Sequence, residues 1–181
     1  MSGLAIPDED SAPRLPQLGA LYWLVYVAVG DFEGVWARTE ATLRLCRAQE
    51  FIWRNRHVAA VAAFERHRLA ARLAGGDRRC PLWAAFADAT IAHYRDAFGA
   101  LIASGPQPLW GSRPIGAARK LIWLTPEAPS PGERWDTLLG RPFLMQLDDD
   151  GRWRVAGFWD RPSEPGWPPT APDMTGVLAW T

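Results

Sequence analysis

A chain of 181 residues with 48% hydrophobic and 22% charged residues has the size and balance of one ordinary globular domain, which excludes wholesale disorder and a membrane bundle. Twenty basic residues match twenty acidic ones, so no net field exists to hold a polyanion, and nucleic acid is not an expected partner. The composition has one anomaly, eleven tryptophans.

Residues 1–17 (MSGLAIPDEDSAPRLPQ) are proline-rich and acidic without periodicity and read as a loosely held arm. They lack the basic start, apolar stretch and small-residue cleavage site of a secretory signal, so a cytoplasmic protein is expected. The longest uncharged apolar run, residues 18–30, is short of the ~20 residues that span a bilayer. It reads as a buried helix, with no membrane partner.

A turn at Gly30-Asp31 leads to a short helical piece through Phe32 and Trp36. Thr39 is the expected N-cap of a longer helix ending near Trp53, with Ala41, Leu45, Ala48 and Ile52 as its apolar stripe and Asn55 closing it. Residues 58–73 repeat the theme with a break near Phe64 and Glu65, and Gly75-Gly76 ends them in a left-handed cap. Pro81 is placed at the first position of the next helix, where its missing N–H costs nothing. That helix has one apolar stripe through Leu82, Phe86, Ala89 and Ala97 and another through Trp83, Ile91, Tyr94 and Phe98. Cys46 and Cys80 have no metal-ligand spacing and suit a reduced interior.

After Gly99 the period changes from helical to alternating. Residues 109–115, 119–125, 143–148 and 152–159 read as strands, rich in branched and aromatic side chains. The last two form a hairpin closed by Asp149-Asp150-Gly151, a three-residue loop in which glycine supplies the positive φ. Phe143, Met145 and Leu147 share one face; Trp153, Val155, Gly157 and Trp159 share another, opposite Arg152 and Arg154, which should be wet. Residues 125–140 form a long connection. Residues 161–181 form a proline-rich tail, expected to lie across the body with Trp167 as an anchor. The domain proper is residues 18–160.

Helices first and an antiparallel sheet afterwards is the α+β order, with helices packed on one face of a curved sheet to leave a cone. At Asp150-Gly151-Arg152-Trp153-Arg154-Val155-Ala156-Gly157-Phe158 the chain resembles the nuclear-transport-factor-2-like superfamily, which includes SnoaL-type polyketide cyclases and ketosteroid isomerases. The resemblance implies a cone-shaped α+β barrel and, for a catalytic member, cofactor-free acid/base chemistry such as isomerisation, dehydration or cyclisation. An aspartate general base is what isomerases of that fold use.

His93 shares a helix stripe with Phe86, Ala89 and Ala97, where a neutral imidazole can act as a general base or as a core residue satisfied by the backbone. Asp31 is either a pocket carboxylate or the N-cap of the short helix it precedes. Gln49, on the face of Cys46 and Trp53, either contacts a ligand or bonds a neighbouring backbone. Arg66, His67, Arg68 and Arg72 make a basic helix face, read as solvated. No phosphate loop, paired metal ligands or Gly-x-Ser-x-Gly elbow is present, so no cofactor and no metal is expected.

Together these features predict a small-molecule-binding protein with an apolar, Trp-lined cavity. Trp53 and Trp123 would enclose a flat organic molecule, Gln49, Met145 and Trp153 would complete the lining, and His93 and Asp31 would be the catalytic candidates. The alternative is a non-enzymatic module that binds a protein, including a second copy of itself as a homodimer, through the sheet face or the Trp-bearing tail.

Overall fold

The computed structural model describes residues 15–105, 107–125, 141–158 and 163–170, without the side chains of 107–111. The expectations for Trp159, for residues 1–14 of the arm, for the connection through residue 140 and for the end of the tail lie outside these residues, whereas Pro16 and Gln17, expected in the arm, belong to the first helix. Six helices precede four strands: α1 (Pro16–Val29), α2 (Phe32–Ala37), α3 (Ala41–Arg54), α4 (Ala59–Ala62), α5 (Arg66–Ala74) and α6 (Trp83–Ser104), then β1 (Gln107–Pro114), β2 (Arg119–Thr125), β3 (Arg141–Leu147) and β4 (Trp153–Gly157). The class is α+β. The strands form an antiparallel meander in the order β1-β2-β3-β4, so the sheet is curved but unclosed and the expected barrel is not completed among the described residues. Register shifts in β1 and between Leu144 and Met145 are where such a sheet bends.

Helix boundaries follow local chemistry. Pro16 opens α1, and Gly30, with φ of 81°, ends it by donating to the Tyr26 and Val27 carbonyls. The C-terminus of α1 is further held by Arg95, whose Nε and Nη2 donate to the carbonyls of Val27 and Ala28 at 3.1 and 2.9 Å, a cation placed at the negative end of the helix dipole. Glu40, not Thr39, caps α3, its carboxylate accepting from the backbone N–H of Thr42 and Leu43. Thr39 is held extended instead, because Arg38 to Glu40 pair with the free edge of β4: Val155 N–H donates to Arg38 and Glu40 N–H donates to Val155, both at 2.8 Å. This linker covers part of an edge that would otherwise invite another strand. Two further boundaries differ from expectation. Gly75 is right-handed and only Gly76 has positive φ, while Pro81 lies in the turn before α6, which starts at Trp83.

The core is a helix–sheet sandwich. From β2 and β3, Ile122, Leu124, Phe143 and Met145 face the helices, and Val155 joins them from β4. Gly19 lets α1 lie close against the sheet: a Cβ there would stand 2.9 Å from the Trp153 carbonyl oxygen and 3.2 Å from Met145 Cε. Trp23 is the hub, fully buried, with ring centroids 4.7 Å from Tyr94, 5.6 Å from Phe98, 6.0 Å from Phe143 and 5.5 Å from Phe158. Its indole N–H donates to Thr39 Oγ1 at 3.0 Å, and that hydroxyl donates to the Val35 carbonyl at 2.8 Å. The closing hairpin forms as its sequence dictates, with Asp148 N–H donating to Arg152, Gly151 N–H donating to Asp148, and Gly151 at φ of 76°.

The outer sheet face departs from expectation. Arg152 is exposed, but Arg154 is tied to Asp148, to Asp150 and to the Ala37 carbonyl. Beyond it the same face carries a second apolar cluster of Leu121, Trp123, Leu144 and Ala156. Alternation alone puts the β4 arginines outside and says nothing of what β2 and β3 contribute beside them.

Candidate functional site

Among the described residues the helical layer buries one charged side chain, on α3. Leu43, Cys46, Arg47, Ala48, Gln49 and Ile52 are all buried; of the expected stripe Ala48 and Ile52 are buried, Leu45 is half-buried against the core and Ala41 is exposed. Arg47 is the unexpected member of this buried set. It lies one turn beyond Leu43 and is as buried as its apolar neighbours, at 5% exposure, because its charge is matched: Nη1 donates to Glu50 Oε2 at 2.6 Å. Glu50 also accepts from Arg54 at 2.5 Å. The Arg47 guanidinium then stands 5.6 Å from the Tyr94 ring and 5.9 Å from the Phe158 ring, a desolvated cation over aromatic faces.

His93 reaches this group from α6. Its Nε2 is 3.5 Å from Arg47 Nη1, and since arginine only donates, Nε2 can meet it only as an acceptor. Burial, and then the positive charge of Arg47, hold the imidazole pKa below its usual value. His93 is therefore neutral at pH 7, but the lone pair that would take a substrate proton faces a cation. Ala89 of its expected stripe is exposed, and the buried face of α6 runs through Phe86, Thr90, Ile91, Tyr94, Phe98 and Leu101. Burial pushes the Tyr94 phenol up and the Cys46 thiol to about 11, so neither is ionised near neutral pH.

The other candidates are dispersed. Asp31 is exposed and caps α2, accepting from Gly34 N–H at 3.0 Å. Gln49 accepts from the backbone N–H of Gly166 at 3.0 Å, the structural one of its two readings. Trp53 lies at the end of α3 with the Arg56 guanidinium 4.5 Å from its ring, while Trp123 is on the sheet face turned away from the helices; the two do not enclose a common space. Met145 and Trp153 do come together, against Gly19, with Lys120 Nζ 5.2 Å from the Trp153 ring. The space between α1, α6 and the sheet, where a ligand would sit, is occupied by Trp23, Tyr94, Phe98, Phe143 and Phe158.

An open groove of about 330 Å³ lies between the end of α1 and the outer side of α6, lined by Val29, Phe32, Asp88, Ile91, Ala92 and Arg95 among others. Val29 at its rim is 66% exposed. Arg47 and Arg95 are the residues that sequence reasoning did not single out. The sign for Arg47 was an arginine four residues after Leu43 on a helix with an apolar face; Arg95 gave none, because its partners are carbonyls 67 and 68 residues away.

Among the described residues no three His, Cys, Asp or Glu side chains cluster in a way that could hold a metal ion, and no helix is long and apolar enough to cross a membrane. Comparison of the chain with protein-family models, with curated proteins and with solved structures finds no match.

Proposed function

We propose that this chain is a non-enzymatic interaction module on a nuclear-transport-factor-2-like cone, one that binds a protein partner at its surface. The family reading is supported by the β3–β4 hairpin and by helices packed on one sheet face. One observation carries the function: five aromatic rings fill the region in which a cone-shaped binder keeps its ligand, at contact distances and with almost no exposure. A core so packed has no room for a flat organic molecule without displacing a ring.

The groove beside Arg95 favours a second reading, a small apolar molecule held at the surface, because its volume is at the lower end of the range that ligand sites use, roughly 300 Å³ upward. Thermal unfolding of the full chain against indole and naphthol separates the two, since a ligand that binds only the folded state must raise its stability. No saturable rise is expected in the wild type. A rise abolished by Ala92→Trp, which fills the groove, would put the second reading first; a rise that survives it and shifts the buried Trp23 indole resonance would show that the interior admits ligand and would sink the proposal.

A further inference from the structure

Residues 163–170 form a small closed unit lying on α3 and α5. Glu164 and Thr170 exchange two backbone hydrogen bonds, at 2.9 and 3.0 Å, so the segment holds its own shape as a hairpin. Three side-chain contacts attach it to the body, and Ser163 at its start is buried. The Gly166 N–H donates to Gln49 Oε1 at 3.0 Å. Trp167 Nε1 donates to His67 Nδ1 at 3.4 Å, with the imidazole edge-on to the indole at 5.5 Å. The Arg66 guanidinium stands 5.0 Å from the Trp167 ring. Trp167 itself is only partly buried, packed against the edge of the core.

The receptor side has a definite chemistry. Gln49 is a buried amide on α3 whose oxygen takes one backbone N–H; His67 and Arg66, in the first turn of α5, take the edge and the face of one indole. The first turn of α5 is itself fixed by Glu65, which accepts from the His67 and Arg68 N–H groups at 2.9 and 2.8 Å. The set therefore reads a Gly-Trp unit at the bend of a proline-flanked hairpin, and the chain's own Pro165-Gly166-Trp167-Pro168 occupies it. The anchors differ from those of the core. Each is a single contact of modest energy, the indole bond is long, and leaving requires no internal unfolding of the hairpin, so its free energy of opening belongs to the low end of the local range.

We propose that the α3–α5 face is a peptide-docking surface for a Gly-Trp unit between prolines, that residues 163–170 hold it as an exchangeable intramolecular strap, and that a partner protein presenting such a segment displaces the strap. This rests on the reading of the chain as an interaction module and names its surface. A partner gains affinity only by what its segment binds in excess of the strap, so the intramolecular occupant sets a threshold against weak competitors.

The test uses the full chain, labelled with nitrogen-15, and an unlabelled blocked peptide of residues 163–170 as competitor. The reporters are the Trp167 indole N–H resonance and the hydrogen exchange of the Gly166 amide. Excess peptide should move the Trp167 resonance toward that of free indole and speed Gly166 exchange by roughly tenfold or more. The same peptide with Trp167→Ala should do neither. Gln49→Ala should release the strap without peptide while the Trp23 indole resonance, bonded to Thr39 in the core, stays in place as proof of an intact fold. The proposal is overturned if peptide leaves both reporters unchanged to its solubility limit, or if Gly166 exchanges only with the core amides. It is also overturned, in favour of a second copy as occupant, if raising protein concentration alone shifts Trp167. None of these failures touches the filled interior, which the apolar-ligand titration tests separately.

Discussion

His93 and Tyr94 are neighbours on α6 and live in two different media. Tyr94 is fully buried against Trp23 and Phe158, in a region built from rings where stability comes chiefly from apolar area and close packing, and it meets charge only where Arg47 stands over its ring. His93 is half-buried beside Arg47 and Glu50, on a seam where charges are matched pair by pair. A hundred-degree step along one helix thus separates a region whose energy is non-directional from one whose energy is directional. The ring side is suited to holding a shape. The α3 side, with Gln49 on the same helix gripping Gly166, is where contacts are few, polar and exchangeable, and there a surface can change occupant.

The largest expected effect breaks the ring side. Trp23→Ala deletes the hub of five rings and should cost about 3–5 kcal/mol in urea unfolding, the range for buried aromatics cut to alanine. A loss near 1 kcal/mol would mean that the rings are loosely packed and the interior is not filled. Thr39→Val keeps the shape of the side chain but removes the acceptor of the Trp23 indole N–H, and an unsatisfied buried donor should cost about 1–3 kcal/mol. Trp23→Phe in the Thr39→Val background should recover part of that, since no donor is then left unpaired. Asp31→Ala removes an exposed cap from α2 and should cost about 1 kcal/mol, whereas Asp31→Asn keeps an accepting oxygen and should cost a few tenths. Equal losses for the two would show that the charge of Asp31, not its capping bond, is what the protein uses.

The order of elements was legible because it rests on periodicity. Helix breaks at Gly30, Asn55 and residues 63–65, and the Asp149-Asp150-Gly151 loop, are local decisions made by the residues present. What failed were features set by distant partners. Thr39 has the chemistry of a cap, but β4 pulls its backbone into an extended bridge and Glu40 caps in its place. Arg47 reads as polar and therefore outward, until Glu50 and the rings of Tyr94 and Phe158 are brought around it by folding. Trp53 and Trp123 are large, apolar and on the expected elements, yet they are on opposite sides of the sheet, because sequence gives the face of a strand only relative to its own alternation. Gln49 was singled out correctly as a buried amide in need of a partner; that the partner is Gly166, 117 residues on, is a property of the tail's path and not of α3.

The smallest effect sharpens the contrast most directly. The imidazole of His93 has a pKa lowered in the folded protein, first by burial and then by Arg47, with Glu50 and Asp96 opposing and Arg54 reinforcing the shift. The unfolded chain, in which His93 titrates near the ordinary 6.5, then binds a proton that the folded one refuses. Stability contributed by the neutral imidazole is complete above that value and is lost progressively as pH falls from it toward the folded pKa. His93→Gln keeps a polar side chain at the seam and cannot titrate, so its stability should fall less than that of the wild type between pH 7.5 and pH 5.5. Trp23→Ala, by contrast, should lower the whole curve with its shape unchanged. Parallel curves for wild type and His93→Gln would place His93 outside the field of Arg47, and the division of α6 into an aromatic side and a charged side would not hold.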